Sequence, residues 1–280
     1  AAARWLAQAA GAGHKYAQYS LAGLYRRGQG VAQDDVQAFL LYGRSAEKGN
    51  PYADHELAKM YRDGIGTQKD GTQVGAHFQD AFDGFLHLEE KSGDDRLQYR
   101  LGQMLHTGTG TERDDAAAAD YWERAAKLGN VHAQYALGKL WLENGSGSTA
   151  QAVRWITKAA EAGTAAAQYT LGKLCLSGEI VEKDAARAVE LFTLSAGQGN
   201  EYASYRLGRM YLSGEDIPRD EREAVRWLTL SAEKGNQYAQ YTLGKLYLTG
   251  EDIPKDVEIA VCWLGQSAGQ GNQYAQYALG

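Results

Sequence analysis

Apolar side chains recur along this chain with two nested periods. Ala203, Leu207 and Met210 are spaced by four and then three residues, which places them on one face of an α-helix. A second apolar stripe of the same kind follows after a short polar loop. The phrase GNEYASYRLGRMYLSGEDIPRD at 199–220 returns 36 residues later as GNQYAQYTLGKLYLTGEDIPKD at 235–256. This pattern predicts pairs of helices that repeat along the chain.

The repeat can be followed through the alanine of the pattern A-x-Y-x-L-[GA], called here the anchor of each repeat. Successive anchors are separated by 36, 44, 36, 34, 36, 36 and 36 residues. The anchors are Ala17, Ala53, Leu97 in place of Ala, Ala133, Ala167, Ala203, Ala239 and Ala275. One helix pair of this length cannot bury its own apolar faces, so neighbouring pairs must stack. The predicted fold is therefore all-α, built from stacked antiparallel helix pairs of about 36 residues per repeat.

Capping residues mark where the helices begin and end. A Gly-Asn pair, or a variant of it, precedes the first helix of a repeat, because Asn can bond free N–H groups of the first turn and Gly can end the preceding helix. These predicted N-caps are Asn50, Asp94, Asn130, Thr164, Asn200, Asn236 and Asn272. The predicted N-caps of the second helices are Asp34, Asp70, Asp114, Asp184, Asp220 and Asp256. Asp34 with Gln37, and Asp220 with Glu223, also have the spacing of a capping box.

Two further positions recur inside the helices. A glycine stands five residues after the anchor, at position +5, in Gly102, Gly138, Gly172, Gly208 and Gly244. Gly inside a helix costs about 1 kcal/mol relative to Ala, so its recurrence predicts a close approach of the paired helix. The second helices carry an aromatic slot, filled by Trp5, Tyr121–Trp122, Trp155, Phe192, Trp227 and Trp263, with Phe85 in the irregular repeat.

These signals predict one array that occupies residues 1–280. Its predicted parts are a second-helix remnant at 1–13, repeats at about 14–49, 50–93, 94–129, 130–163, 164–199, 200–235 and 236–271, and a partial repeat at 272–280. The insertion at 71–93 predicts a second helix that is extended at its start, and the loop at 143–151 is two residues short, which predicts a sharper turn. Because the chain starts and ends inside helix patterns, we expect excision from a longer protein, with a truncated N-terminus, or capping by a neighbour.

The repeat unit resembles the Sel1-like repeat, a relative of the tetratricopeptide repeat with a longer unit. The resemblance rests on the pattern A-V-R-W-L-x-x-S-A-x-x-G-N-x-Y-A-Q-Y-x-L-G-x-x-Y-x-x-G-x-x-x-x-x-D. The likeness covers nearly the whole chain. It implies an α-solenoid, wound as a right-handed superhelix, in a family of scaffolds and adaptors without common catalytic residues. The phrases GNQYAQY and GEDIPKD are also similar to the repeat tails of plasmid-mobilisation relaxases of Gram-positive bacteria, although the DNA-cleaving domain is not in this chain. That second likeness implies a bacterial docking tail.

Composition narrows the setting of this array. The chain has 29 basic and 35 acidic side chains, and its net charge of −6 disfavours nucleic acid as a partner. No apolar run is long enough to span a membrane, and the start lacks the pattern of a signal peptide. Cys175 and Cys262 occupy different positions of different repeats, which favours reduced thiols and a cytoplasmic location over a disulfide.

No constellation of catalytic residues stands out, so we expect neither enzyme activity nor a cofactor. The phrase HELAK at 55–59 lacks the second histidine of a zinc-protease helix, and GTGT and GSGS lack the Lys-Ser/Thr of a phosphate-binding loop. Acidic pairs such as Asp114–Asp115 stand at helix starts, where capping and the helix dipole explain them. His77 and His87 share the irregular helix but lie ten residues apart, nearly three turns, so no metal site is expected there.

The first helices offer a recurrent surface away from their apolar stripe, at positions −1, +3 and +6 from the anchor. The predicted partner-binding residues are Tyr52, His132, Tyr202, Tyr238 and Tyr274 at −1, Arg206 and Thr242 at +3, and Lys59, Lys139, Lys173, Arg209 and Lys245 at +6. Tyrosines at +2 match the family pattern and are predicted to pack between repeats: Tyr19, Tyr99, Tyr135, Tyr169, Tyr205, Tyr241 and Tyr277. The alternative for the basic residues is that they only keep the helix face in water.

Rigid aromatic area beside charge is the composition of a recognition surface. We therefore expect a non-catalytic scaffold or adaptor that binds a protein or peptide segment, one that carries acidic residues, on the concave face of the array. No membrane or small-molecule partner is expected. The alternative is a regulatory or docking tail of a larger DNA-processing protein that contacts DNA through the Lys/Arg column. Salt-titrated DNA binding separates the two, since phosphate contacts give a steep salt dependence.

Overall fold

Sixteen helices account for the regular structure of residues 2–145 and 147–280, which the computed structural model describes, with Ala2 described by its backbone only. The helices are α1 Ala2–Gly11, α2 Lys15–Arg27, α3 Asp35–Ala46, α4 Pro51–Asp63, α5 Gly71–Ser92, α6 Asp95–Thr107, α7 Asp115–Lys127, α8 Val131–Asn144, α9 Thr149–Glu161, α10 Ala165–Ser177, α11 Ala185–Gly197, α12 Glu201–Ser213, α13 Glu221–Glu233, α14 Gln237–Thr249, α15 Val257–Gly269 and α16 Gln273–Leu279. The all-α prediction is confirmed for these residues. The predicted remnant at 1–13 includes Ala1 and the shortened loop at 143–151 includes Ser146, and both of these residues lie outside the described part.

The chain divides into two compact units, an N-terminal unit at Ala1–Ala133 and a C-terminal unit at Gln134–Gly280. In the N-terminal unit, α2 packs on α3, α4 on α5 and α6 on α7, and successive pairs meet through α3–α4 and α5–α6. In the C-terminal unit, α10 packs on α11, α12 on α13 and α14 on α15, with α11–α12 and α13–α14 between the pairs. Within each unit the helices thus pack against their neighbours along the chain, as stacked pairs require. No helix in the described part of the chain combines the length and the apolar character needed to cross a membrane.

The core of each unit is built around the anchors and the apolar residues that follow them. In the C-terminal unit, Ala203 and Leu207 have no exposed surface and Met210 is almost as deeply buried. They join Leu171 and Phe192 of the neighbouring pair in one cluster of buried side chains. The small anchor alanine lets the helix backbones approach, and the larger side chains fill the space between them.

The predicted caps hold the helix ends in place. Asn236 accepts bonds from the N–H groups of Tyr238 and Ala239, and Gly250 ends that helix in the left-handed conformation at φ 69°. Thr164 is an exception to the prediction, because its hydroxyl makes no bond to the first turn of α10. Thr is a weaker cap than Asn, and its branched side chain has few accessible rotamers.

The two predicted capping boxes are only half formed. The Asp220 carboxylate accepts the N–H of Glu223 at 3.0 Å, which is the expected first half. The return bond to the cap is missing because the N–H of Asp220 already donates to the Tyr211 carbonyl at 3.0 Å. The capping box of Asp34 is half formed for the same reason, because the N–H of Asp34 donates to the Tyr25 carbonyl at 3.0 Å. This backbone bond fastens each loop to the end of the first helix.

The glycines at position +5 stand where the second helix comes closest. A Cβ added to Gly208 would lie 2.6 Å from Cγ of Leu228, and one on Gly244 would lie 2.6 Å from Cγ of Leu264. Real Cβ atoms do not approach neighbours this closely, so the predicted reason for glycine at this position is confirmed. The glycine removes the atom that would push the two helices apart.

The predicted aromatic slot is in fact two adjacent positions. Trp122 and Phe192 are buried at the position that faces the +5 glycine. Trp227 stands one residue earlier and is half-buried, while Leu228 fills the buried position. Trp5 is exposed over 68% of its surface. The prediction of one slot is wrong because both positions are apolar and adjacent, so the sequence pattern alone did not separate them.

The insertion lengthens α5 to 22 residues at its start, as predicted, with Asp70 as its N-cap. Phe85 of this helix is fully buried, at the position of Trp122 and Phe192. The added turns bring His77 against α4, where its Nδ1 lies 2.9 Å from Oδ1 of Asp54. The irregular repeat therefore has a polar contact between its two helices.

Two polar side chains recur inside the core and tie neighbouring helices together. The hydroxyl of Ser231 donates to the carbonyl of Glu201 at 2.8 Å. Nε2 of Gln240, the residue after the anchor, donates to the carbonyl of Ala232, eight residues earlier, at 3.1 Å. The same glutamine bond recurs from Gln18 to Ala10, from Gln168 to Ala160 and from Gln276 to Ala268. These bonds pair the Nε2 group of each glutamine with a backbone carbonyl and link successive helices.

Candidate protein-binding surface

The C-terminal unit exposes most of the predicted binding positions on its first helices. Tyr202 and Tyr238 are each exposed over 52% of their surface, and Tyr274 over 74%. The exposed basic residues are Lys139, Lys173, Arg206, Arg209 and Lys245. Thr242 is half-buried, and its hydroxyl donates to the Tyr238 carbonyl at 2.7 Å, so it is engaged by its own helix.

The exposed tyrosines at position −1 also pack against the preceding repeat. The ring centroids are 6.4 Å apart for Tyr169 and Tyr202, 6.1 Å for Tyr205 and Tyr238, and 5.9 Å for Tyr241 and Tyr274. Each ring at −1 thus rests on the +2 ring of the repeat before it. In these three pairs the ring at +2 is half-buried and the ring at −1 is exposed over half of its surface or more. Tyr277 was also predicted to pack but is exposed over 89% of its surface.

In the N-terminal unit, the predicted aromatic residues are held by other rings. Tyr52 is half-buried, and its ring lies 5.0 Å from Phe85 with an edge-on geometry. His132 is exposed and lies 5.7 Å from the ring of Tyr99. Tyr52 therefore offers a partner less surface than Tyr202 or Tyr238 of the C-terminal unit.

Lys59 of the N-terminal unit is already neutralised by its own helix. Its Nζ lies 2.9 Å from the carboxylate of Glu56, and the ring of His55 lies 3.7 Å from the same group. Burial raises the pKa of Glu56, but the contacts with His55 and Lys59 outweigh it and lower that pKa to about 2. Glu56 therefore stays charged and partly offsets the positive charge of Lys59.

A groove of about 850 Å³ brings three predicted residues of the C-terminal unit together. Its basic side chains are Lys139 on α8, Lys173 on α10 and Arg206 on α12. Its apolar and aromatic lining consists of Tyr135, Leu142, Tyr169, Leu174, Leu176 and Ile180. The other predicted residues of this unit lie outside the lining: Tyr202, Arg209, Tyr238, Thr242, Lys245 and Tyr274.

A single small residue accounts for the position of this groove. Position −1 is Ala166 in the repeat that follows Tyr135, whereas the later repeats have tyrosine there. In the described part of the chain no ring therefore covers Tyr135, whose hydroxyl lies 3.3 Å from Oγ1 of Thr170. The uncovered ring and the aliphatic side chains at the ends of α8 and α10 then form the wall of the groove.

The groove is electropositive although the chain is acidic. Three basic residues and one acidic residue, Glu143, line it, which leaves two net positive charges. Lys139 lies 3.6 Å from Glu143, and Nζ of Lys173 lies 5.1 Å from the centre of the Tyr169 ring. Arg206 makes no ion pair with any described residue and is exposed. The guanidinium is thus the charge most available to a carboxylate.

Sequence reasoning missed the aliphatic part of this lining. Leu142 and Leu176 lie near the ends of the first helices, and Ile180 lies in the loop after α10, so none of them belongs to the columns at −1, +3 and +6. Ala166 was the available signal, because it breaks the column of aromatic residues at −1.

The thiols do not supply an activated nucleophile on this surface. Cys175 and Cys262 are both free, the first buried and the second exposed. Burial raises the pKa of the Cys175 thiol, which keeps it protonated and unreactive. The groove is therefore equipped for binding through rings, aliphatic side chains and positive charge.

Comparisons with known proteins give a consistent picture. The model of the Sel1 repeat matches residues 15–50, 51–76, 96–130, 131–164, 165–200, 201–236 and 237–272. The crystal structure of a Sel1 repeat protein from Oxalobacter formigenes aligns at 31% identity and a TM-score of 0.73, over 99% of this chain and 78% of that chain. A protective antigen present in uropathogenic Escherichia coli strains, which displays an SLR fold, aligns at 34% identity and a TM-score of 0.70, over 99% of this chain and 58% of that one.

A curated relative is more distant. The exopolysaccharide production negative regulator of Rhizobium leguminosarum bv. viciae is 27% identical over 151 residues, which are 52% of this chain and 57% of the relative. The chain thus spans little more than half the length of the regulator and of the antigen. The predicted solenoid of helix pairs is confirmed by these matches, whereas they give no support to the resemblance to relaxase tails.

Proposed function

The chain belongs to the Sel1-repeat family, and from that premise we propose that it is a non-catalytic scaffold or adaptor that binds an acidic segment of another protein. Sel1-repeat proteins act as protein-interaction scaffolds and are generally non-catalytic. The observation that carries the proposal for this chain is the groove across α8, α10 and α12, where three basic side chains surround the rings of Tyr135 and Tyr169.

The lining favours a peptide segment over a small polar molecule. Tyr135 and Tyr169 present rigid rings, and Leu142, Leu176 and Ile180 add aliphatic surface. Tyr and Arg are the residue types that most often dominate binding energy at protein interfaces, because they bury large areas at a small entropic cost. A segment with one or two apolar side chains and nearby carboxylates would use both parts of the groove.

The charge of the groove favours a protein partner over a nucleic acid. DNA-binding proteins commonly neutralise about six to ten phosphates, and the groove has three basic residues, of which Lys139 is paired with Glu143. The net charge of −6 adds long-range repulsion toward a polyanion. A short acidic segment matches the two net positive charges of the groove without requiring an extended basic surface.

Two further features support this role. The curated relative carries the name of a negative regulator, which is compatible with a protein that acts by binding. The two unpaired thiols, one of them exposed, support a location in a reducing compartment, the cytoplasm.

The test uses a displayed library of random peptides selected on the full chain, followed by affinity measurement for the selected peptides. We expect selected sequences to be enriched in Asp and Glu beside apolar residues. The double variant Lys173→Glu/Arg206→Glu should weaken their binding by at least about tenfold, since repulsion replaces attraction at the groove.

The matched control is Lys158→Glu/Arg226→Glu, which makes the same change in charge on the second helices α9 and α13. It should leave peptide affinity within about twofold of the wild type, because the groove is unaltered. Peptides without acidic residues, or peptides that bind the Lys173/Arg206 variant as tightly as the wild type, would contradict the proposal. Tight binding of duplex DNA with a steep salt dependence would contradict it as well.

A further inference from the structure

The insertion helix α5 brings an imidazole and two carboxylates together in the N-terminal unit. Asp54 on α4 and His77 and Asp80 on α5 each place one ligand atom within 4.8 Å of the others. Nδ1 of His77 lies 2.9 Å from Oδ1 of Asp54. All three residues line a pocket of about 520 Å³ formed by α3, α4 and α5. This juxtaposition depends on the insertion, because His77 lies eight residues before Phe85, at a point where the other second helices have not yet begun.

Asp54 occupies the position after the anchor, where other repeats have a side chain that donates a hydrogen bond. Gln18 and Gln240 occupy this position in their repeats, and each donates from Nε2 to the carbonyl eight residues earlier. The corresponding residue here is Ala46, which lines the pocket. An aspartate side chain has no N–H group, so the substitution replaces a hydrogen-bond donor with carboxyl oxygens that can bind a cation.

The Asp54 carboxylate is deeply buried for a charged group. Asp54 is exposed over only 7% of its surface, and His77 is its one hydrogen-bond partner among the described residues. Buried charges in proteins are normally paired or bound to a metal ion. Asp80, one turn after His77 on α5, is exposed and adds a second carboxylate at the mouth of the pocket.

Neighbouring rings hold the imidazole in place. The ring of Tyr61 stacks on His77 with centroids 5.6 Å apart and an angle of 13° between the planes. Phe39 packs edge-on against Tyr61 at 5.2 Å. Arg44 and Glu47 also line the pocket and carry opposite charges. The orientation of the imidazole is therefore set by packing, which is what a metal ligand requires.

We propose that Asp54, His77 and Asp80 bind a divalent transition-metal ion, with Zn²⁺ as the best match. Imidazole with carboxylates suits Zn²⁺, whereas Mg²⁺ and Ca²⁺ prefer ligand sets made only of oxygen. Zn²⁺ at about 2.0–2.1 Å from each of three ligands leaves a fourth tetrahedral position for water from the pocket. Two carboxylates balance the charge of the ion, and the ion takes the place of the proton between His77 and Asp54.

Metal binding at this site has a structural consequence. Asp54 belongs to α4, and the other two ligands belong to the start of α5, so the ion links the insertion helix to its partner. An ion that binds the folded chain but not the unfolded chain raises the free energy of unfolding in proportion to the logarithm of its free concentration. The insertion thereby makes the stability of α4 and α5 depend on zinc.

The test is isothermal titration of the full, tag-free, chelator-treated chain with ZnCl₂, together with its thermal unfolding midpoint and the visible spectrum with Co²⁺. We expect one ion per chain, a higher midpoint with zinc, and a Co²⁺ spectrum typical of four-coordinate sites. Asp54→Gln restores the glutamine of the other repeats, so it should retain the fold and weaken zinc binding by about 100-fold. His77→Gln and Asp80→Asn should each weaken it by at least about tenfold.

His87→Gln is the matched control, since His87 lies on the same helix but outside the cluster. The His87→Gln variant should bind zinc with the same affinity as the wild type. The proposal would be overturned if the wild type took up no zinc at micromolar concentrations. It would be overturned equally if Asp54→Gln and His77→Gln, both folded by circular dichroism, bound zinc as tightly as the wild type, because the ion would then be held by other groups.

Discussion

At the scale of the residue, the glycine at position +5 controls the distance between the helices of a pair. Replacing this glycine with alanine changes the free energy of unfolding through two effects of opposite sign. Alanine in a helix is favoured over glycine by about 1 kcal/mol. Inserting an atom into a closely packed contact costs about 1–3 kcal/mol. Because a Cβ on Gly244 would lie 2.6 Å from Cγ of Leu264, the packing cost decides the sign.

We therefore expect Gly244→Ala to lower the free energy of unfolding by up to about 2 kcal/mol, in spite of the better helix propensity of alanine. The control is Gly265→Ala in α15 of the same pair, where an added Cβ meets nothing within 4 Å. That variant should raise stability by up to about 1 kcal/mol. Urea unfolding followed by circular dichroism measures both changes, and a stabilised Gly244→Ala would show that the helices can move apart without cost.

At the scale of the element, α4 shows how charges on one helix limit what it can offer a partner. Glu56 and Lys59 are three residues apart and therefore lie on the same side of the helix, with 2.9 Å between Nζ and the carboxylate. The pair, together with His55, keeps Glu56 ionised although it is partly buried. Among the described residues no carboxylate pairs with Arg206 on α12, which leaves that helix with a charge that a partner can use.

This pair predicts a pH dependence of stability. The pKa of Glu56 is about 2 in the folded chain and 4.5 as its ordinary value, so the folded state binds its proton more weakly than the unfolded state. The contribution of Glu56, at most about 3 kcal/mol, is present above pH 4.5 and is lost as the pH falls towards 2. Between pH 6 and pH 3, Glu56→Gln should therefore lose less stability than the wild type.

Thermal unfolding of both proteins across that pH range measures the difference. Asp63→Asn serves as the control, because Asp63 pairs with Arg62 on the open surface and its removal should alter the pH dependence little. Parallel curves for the wild type and Glu56→Gln would show that the pair contributes nothing measurable.

At the scale of the whole molecule, stacked pairs are expected to have local stability. Within each unit, helices pack mainly against their neighbours along the chain. Stability of such arrays is approximately a sum of contributions from single repeats and from their interfaces. A damaged pair then opens without the rest of the array.

Amide hydrogen exchange of Gly244→Ala, followed by mass spectrometry, tests this locality. We expect faster exchange in α14 and α15, a smaller effect in α12 and α13, and none in α2 to α5. Gly265→Ala should show no acceleration in any of these helices. A uniform acceleration along the chain would indicate that the array unfolds as one cooperative body.

Most of the fold could be predicted from the sequence, because the residues that form each helix pair lie within a single repeat. The anchor alanine, the Asn and Asp caps and the +5 glycine all act between residues of one repeat, so one sequence pattern contains both partners of each contact. The prediction of a single aromatic slot was wrong, because Trp227 and Leu228 are adjacent apolar residues and only packing decides which of them is buried.

The sites depend on contacts that the repeat pattern does not contain. The groove exists because Ala166 leaves a ring of the preceding repeat uncovered, and its aliphatic wall comes from helix ends and a loop. His77 was considered with His87 on its own helix, whereas its neighbour in space is Asp54 on α4. To predict either site, one would need to know the register between neighbouring helices, and sequence periodicity alone does not provide it.

The likeness of successive junctions also bears on how such a chain changes length over generations. The Tyr205–Tyr238 and Tyr241–Tyr274 pairs have nearly the same spacing, 6.1 and 5.9 Å. Loss of the gene segment for residues 200–235 would join Gly199 to Asn236, a Gly-Asn pair that already precedes other helices. Recombination between near-identical DNA segments can therefore add or remove a whole helix pair without exposing a new apolar face. The groove beside Ala166 would stay single while the array grows or shrinks around it.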